Sequence, residues 1–144
     1  MITVRLMEES DLDRVTVLEG EIFSMPWSKQ AFLDGLKNEK AIYLVAENAQ
    51  EVVGYCGVYN ILGEGDIVNV AVAKEYRGNG IALQMLRVLL QLGEKAGIEA
   101  FTLEVRAGNA PAIYVYEQLG FAVEGVRKNF YEKPTEDALI MWKR

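Results

Sequence analysis

The sequence predicts an α/β (α+β) domain, a mixed central sheet with helices on both faces, in the order β-α-α-β-β-β-α-β-α-β-β. Three observations predict it. Short apolar runs rich in β-branched residues recur at 41–46, 51–60 and 66–73, bounded by turn residues. Leucine patterns at helical spacing lie around them, the longest at 80–96. Strand-type and helix-type segments then alternate through the second half, the rhythm of a layered sheet-and-helix architecture.

The elements follow in order. Residues 3–6 are a first short strand. Leu12, Val15, Leu18 and Ile22 recur at helical spacing, which makes 10–23 an amphipathic helix. Pro26-Trp27-Ser28 interrupts it, and Ser28 can cap a second helix carrying Phe32, Leu33 and Leu36. Residues 41–46 and 51–60 pair as a hairpin through Glu47-Asn48-Ala49-Gln50. A Gly63-Glu64-Gly65 turn leads into the valine-rich strand 66–73. The long helix 80–96 closes on Gly97, a left-handed C-cap. Residues 99–105 alternate, with Phe101, Leu103 and Val105 on one face and Ala100, Thr102 and Glu104 on the other. Asn109 caps a short helix that keeps Pro111 in its first turn, where a missing N–H costs little. Gly120 ends that helix, and 121–128 and 138–142 are closing strands.

Length and composition narrow the chemistry. A chain of 144 residues suits a single domain over 1–144 with one core. The longest apolar run, 41–46, is far short of the roughly 20 residues a membrane span needs, so no membrane partner is expected. Met1-Ile2-Thr3-Val4-Arg5 lacks the basic-then-apolar pattern of a secretory signal. The lone Cys56 permits no internal disulfide, and a cytoplasmic location is the expectation. There is no histidine, which excludes Ser–His and Cys–His dyads and His-ligated metals. One cysteine cannot build a thiolate cage either, so no metal is expected. Acid–base work falls to carboxylates, Tyr, Lys or water that they position. A net charge of −6 argues against broad binding of nucleic acid and suits a cationic peptide or amine.

The most informative stretch runs from Val70-Ala71-Val72 through Arg77-Gly78-Asn79-Gly80-Ile81-Ala82. A strand, a glycine loop and a helix start make an anion site: the glycines let backbone amides approach a ligand, and the helix adds free N–H donors. A dinucleotide fingerprint would need glycine where Leu83 stands, and no Gly-Lys-Ser/Thr of a P-loop occurs.

Arg77-x-x-Gly80-x-Ala82 resembles the signature of the Gcn5-related N-acetyltransferase (GNAT) family. Asn109-x-Pro111-Ala112-Ile113-x-Val115-Tyr116-Glu117-x-Leu119-Gly120-Phe121 is similar to its second motif. The resemblance implies acetyl-coenzyme A as the acetyl donor. The backbone of Val70, Ala71 and Val72 would pair with its pantetheine arm like an added strand. Arg77 and the amides of Gly78, Asn79, Gly80, Ile81, Ala82 and Leu83 would hold the pyrophosphate, and Asn109 would meet the thioester end.

Transfer to an amine needs a neutral amine, a polarised carbonyl and a proton for the departing thiolate. Glu104 is the candidate base, working through burial or a water relay, and Tyr116 the candidate acid. Pro26-Trp27-Ser28, Leu103-Glu104-Val105-Arg106-Ala107-x-Asn109 and Arg127-Lys128-Asn129-Phe130-Tyr131 narrow the resemblance. They are similar to the bacterial branch that acetylates the N-terminal alanine of a small-subunit ribosomal protein. That implies Glu104 as base, Tyr116 as acid, a protein N-terminus as partner, and Trp27 and Tyr131 on the peptide side. Phe130 departs from the tyrosine usual there. A free small amine or lysine acceptor, and a non-catalytic binding module, are the alternatives.

Overall fold

The computed structural model describes residues 1–144. The chain runs β1 (Ile2–Leu6), α1 (Leu12–Ile22), α2 (Lys29–Lys37), β2 (Ala41–Asn48), β3 (Glu51–Ile61) and β4 (Glu64–Val72). It continues α3 (Ile81–Lys95), β5 (Ala100–Arg106), α4 (Ala110–Gln118), β6 (Ala122–Tyr131) and β7 (Glu136–Lys143). The α-helices and strands follow the predicted order, and two short 3-10 turns, Glu9–Asp11 and Lys74–Tyr76, are added to it. The strands form one sheet, β1-β2-β3-β4-β5-β7-β6.

The caps form where side-chain chemistry asks for them. Ser28 accepts from the Ala31 N–H at 3.1 Å, and Asn109 Oδ1 accepts from the Ala112 N–H at 3.3 Å. Gly97 ends α3 at φ +95°. The strand ends differ from expectation. The four-residue link at 47–50 shrinks to Ala49 and Gln50, at φ +51° and +71°, because Glu47 and Asn48 still pair with β1 and β3. Two consecutive positive φ values match the twist of the flanking strands. Leu62 and Gly63 make the same kind of turn between β3 and β4, so β4 begins at Glu64.

Alternating side chains feed two cores. Leu44 and Val58 pack with Ile81, Met85, Leu86 and Leu89 of α3 on one face. Val45 and Tyr55 pack with Leu12, Val15 and Leu18 of α1 and Phe32 of α2 on the other. Each fully buried leucine contributes about 1.5–3 kcal/mol, and truncating Leu89 to alanine would cost about 2–5 kcal/mol.

One feature of the sheet positions the site. All neighbouring strands are antiparallel except β4 and β5, which pair in parallel only through Glu64–Ala100, Gly65–Phe101 and Asp66–Thr102. Beyond Asp66 the two strands part, while β4 stays on β3 as far as Val72. Between Val68 and Ala71, two residues of β4 oppose the single Cys56 of β3. That bulge carries Asn69 at φ +56°, a conformation asparagine tolerates.

Candidate active site

The stretch read as the donor site lies on the free part of β4. The Ala73 N–H donates to the Val53 carbonyl at 2.7 Å, so alternation turns the polar groups of Ala71 towards β3. Those of Val70 and Val72 then face the opening. The Val72 carbonyl already accepts from Arg77 Nε at 3.1 Å, which folds the arginine back over the strand end. The three residues read from the sequence therefore divide: two offer a ladder edge, and Ala71 fixes the spacing between them.

The loop that follows has room for a ligand. Gly78 and Gly80 sit at φ +82° and +74°, and a Cβ on either would meet no atom within 4 Å. The first bond of α3 runs from the Gln84 N–H to the Gly80 carbonyl, leaving the amides of Ile81, Ala82 and Leu83 without helical acceptors. The helix dipole adds positive potential at the same place. Asn79 Nδ2 donates to the Tyr76 carbonyl at 3.0 Å, bracing the loop from within. A cavity of about 480 Å³ opens beside it, between Leu18, Glu21 and Ile22 of α1 and Ala73, Lys74, Glu75 and Arg77. Open backbone donors, a fixed cation and an unfilled cradle fit the pyrophosphate and arm of coenzyme A.

Glu104 and Tyr116 stand beyond the point where β4 and β5 part. Glu104 shares its strand face with Thr102, and that face lacks the helical cover that buries Phe101, Leu103 and Val105. Its carboxylate pairs with Arg127 Nε of β6 at 2.6 Å. Tyr116 lies in the core between α4 and the sheet, its ring 6.1 Å from that of Phe121. The hydroxyl has no hydrogen-bond partner in the chain, yet no fully buried side-chain oxygen is left unpaired, so it reaches the surface. Burial, and secondarily Tyr131, pushes this phenol well above the ordinary tyrosine value, which keeps the proton in place. Asp66, on the last rung, is raised by burial and by Glu104, with Arg127 opposing. Asp66, Glu104 and Arg127 thus form one electrostatic group at the branch of the sheet. Cys56 is fully buried and its thiol pushed up by that burial, which leaves it unsuited to carry an acyl group.

The face that carries Trp27 and Tyr131 has two lips. One is the loop 23–28 between α1 and α2, the other the turn between β6 and β7. Arg106 joins them, donating to the Glu132 and Pro134 carbonyls at 2.9 Å, to Ser24 Oγ at 3.1 Å and to Glu136 Oε1 at 3.2 Å. Its guanidinium lies 4.5 Å from the ring centre of Tyr131. Burial, then Glu104, pushes the Tyr131 hydroxyl up to about 12. Trp27 packs on Phe32 and Tyr59 at 5.7 and 6.5 Å. Asn109 uses Oδ1 as the cap of α4 and keeps its NH₂ for another acceptor.

Sequence reasoning gave no role to four residues around the candidate site, Glu19, Asp66, Arg106 and Arg127, although Arg106 and Arg127 fall inside the motifs quoted above. Arg106 and Arg127 act through partners far along the chain. Glu19 left one signal, since it falls one helical turn after Val15, on the apolar stripe of α1.

The model of the acetyltransferase (GNAT) family matches residues 11–121. The chain is 38% identical to a Bacillus subtilis protein named as a candidate [ribosomal protein bS18]-alanine N-acetyltransferase, over 96% of this chain and 93% of the relative. It is 32% identical to the Escherichia coli [ribosomal protein bS18]-alanine N-acetyltransferase, over 98% of this chain and 96% of the relative. The crystal structure of the Escherichia coli ribosomal-protein-S18-alanine N-acetyltransferase superposes with a TM-score of 0.90 at 31% identity. The match covers 99% of this chain and 93% of that one. No helix of the chain is long and apolar enough to cross a membrane.

Proposed function

The chain belongs to the acetyltransferase (GNAT) family and is an acetyl-CoA-dependent N-acetyltransferase, and from that premise we propose that its acceptor is the N-terminal α-amine of a protein. The N-terminal alanine of a small-subunit ribosomal protein fits best, with the reaction taking place in the cytoplasm. The relatives named for that reaction, each matched along nearly its whole length, support this acceptor.

One observation carries the mechanism. The β4–β5 ladder stops at the Asp66–Thr102 rung, leaving the polar groups of Val70 and the N–H of Val72 without a β5 partner while β5 runs on through Glu104. Those groups bind the pantetheine arm as a strand, and the amides from Gly78 to Leu83 bind the pyrophosphate. Glu104 takes a proton from the acceptor ammonium, directly or through water. The freed amine forms its C–N bond at the thioester carbonyl as the C–S bond breaks. Tyr116 gives its proton to the leaving sulfur. Burial keeps Tyr116 protonated, and because a phenol above 10 is a weaker acid than a thiol near 8.5, placement against the leaving sulfur has to carry the transfer.

The acceptor follows from proton energetics. An α-amine near 7.8 is about 2.6 units easier to neutralise than a lysine near 10.4, about 3.5 kcal/mol at 1.36 kcal/mol per unit. A carboxylate base suits the easier task. Incubation with acetyl-CoA and a peptide that begins with alanine and continues with basic residues should place the acetyl group on the α-amine. Mass spectrometry finding it only on lysine side chains would sink this reading.

A further inference from the structure

Glu19 is only 2% exposed, and the mechanism makes no use of it. Its Oε1 accepts from the Tyr55 hydroxyl at 2.8 Å. Its Oε2 accepts from the Trp27 backbone N–H at 3.0 Å and from Asn69 Nδ2 at 3.5 Å. These partners belong to different parts of the site. Trp27 lies in the loop on the acceptor side. Asn69 is the bulge residue directly before Val70, where the donor edge of β4 begins. Asn69 Oδ1 in turn accepts from the Tyr43 hydroxyl at 3.1 Å, and that hydroxyl lies 3.3 Å from Tyr59, on which Trp27 packs.

A buried carboxylate is costly unless its oxygens are paired, and here every partner is a donor matched to an acceptor-only group. Its partners stand on the loop 23–28, on β3 and on β4. Two of these, the loop and β4, take different substrates on the proposed function. Ser24 fixes the other end of the same loop through its bond to the Glu132 carbonyl at 3.1 Å, so movement at the Trp27 end is what Glu19 controls.

We propose that Glu19 is a positioning residue that couples the two substrate sites: it ties the Trp27 amide to the Asn69 bulge, so that filling the β4 edge with the acetyl donor sets the acceptor loop. The inference rests on the reading of 23–28 as the acceptor loop. By reciprocity, an acceptor that orders the loop would also tighten donor binding by the same factor.

The test needs no acceptor, so its outcome is separate from the peptide assay. Trp27 and Trp142 are the only tryptophans, and Trp142→Phe leaves Trp27 as the reporter. In the full-length protein on that background, coenzyme A is titrated by calorimetry and by tryptophan emission. The two should give one midpoint, with a saturable change in Trp27 emission. Glu19→Ala and Asn69→Gly should each still bind coenzyme A calorimetrically, weakened by about fivefold at most, while the emission change is lost. Glycine accepts the positive φ at 69, so this variant cuts the link and keeps the bulge, and it decides the matter if Glu19→Ala does not fold. Glu19→Gln can accept from Trp27 and donate to Tyr55, and should restore the signal. An emission change that persists in Asn69→Gly, or that is absent from the parent protein while coenzyme A binds, overturns the coupling.

Discussion

Arg127 Nε lies 2.6 Å from Glu104 Oε2, a contact that reaches from β6 to β5 across the intervening β7. It engages one carboxylate oxygen, and on the proposed mechanism the other receives the proton of the incoming amine. The arginine side chain is 58% exposed, so the pair contributes about 0–1 kcal/mol to folding. Its value is orientation. Arg127→Ala should leave thermal stability nearly unchanged and lower kcat/KM by roughly 10- to 100-fold. Unchanged kcat/KM would make the pair a surface contact.

Glu104→Gln should abolish most activity near neutral pH and recover part of it as pH rises, because above about 7.8 the α-amine arrives already neutral. The measurement is kcat/KM against pH. A profile parallel to that of the parent, merely scaled down, would assign Glu104 an orienting role and move proton removal to water.

Tyr116→Phe keeps the ring packed on Phe121 and removes only the proton. We expect kcat to fall by roughly 10²–10³ with little change in donor affinity. A loss of donor affinity that matches the loss of kcat would point to packing.

Gly80 has open space around its missing Cβ but a φ of +74°. Gly80→Val should therefore lower the melting temperature by a backbone cost of about 1–2 kcal/mol. It should also remove most of the thermal shift that acetyl-CoA produces, since the branched side chain fills the approach to the amides. A shift of parental size in the variant would refute the pyrophosphate assignment.

Two buried carboxylates should give opposite slopes of stability with pH. The hydrogen-bonded guanidinium of Arg5, at 2.9 Å to each oxygen, holds Asp11 below its ordinary 3.8. Its contribution is full above that value and is lost as pH falls through the lowered one. Burial raises Glu19 above its ordinary 4.5. The cost of its charge is full above the raised value and is relieved as pH falls towards 4.5. Chemical denaturation across the acidic range checks both. The parent's advantage over Asp11→Asn should shrink on acidification, and its stability relative to Glu19→Gln should grow.

What the sequence revealed followed the range of the forces involved. Helix caps at Ser28 and Asn109 are contacts within three residues, so they were legible. So was the glycine loop, because positive φ at Gly78 and Gly80 is a property of single residues. The turn at Ala49-Gln50 was not, since neither residue advertises a left-handed conformation and the pairing of β1 and β3 imposes it. Ser24 and Arg106 are 82 residues apart, and the parting of β4 from β5 depends on where α3 returns the chain. Such relationships have no local signature.

The parting of the sheet also bears on how the chain folds. β1 to β4 pair as neighbours in space with α1 and α2 folded over them, and β5, β6 and β7 pair among themselves. Only three residue pairs join the two groups of strands, and the chain must pass through the whole of α3 before they can form. Loop-closure entropy makes such a join late, whereas the β2–β3 hairpin closes over two residues. Mutations at Asp66 or Thr102 should then change the unfolding rate and leave the folding rate nearly alone, while mutations at Val45 or Tyr55 slow folding. The three-rung junction beside the open edge of β4 is thus the last to close and the first to open in the life of the chain.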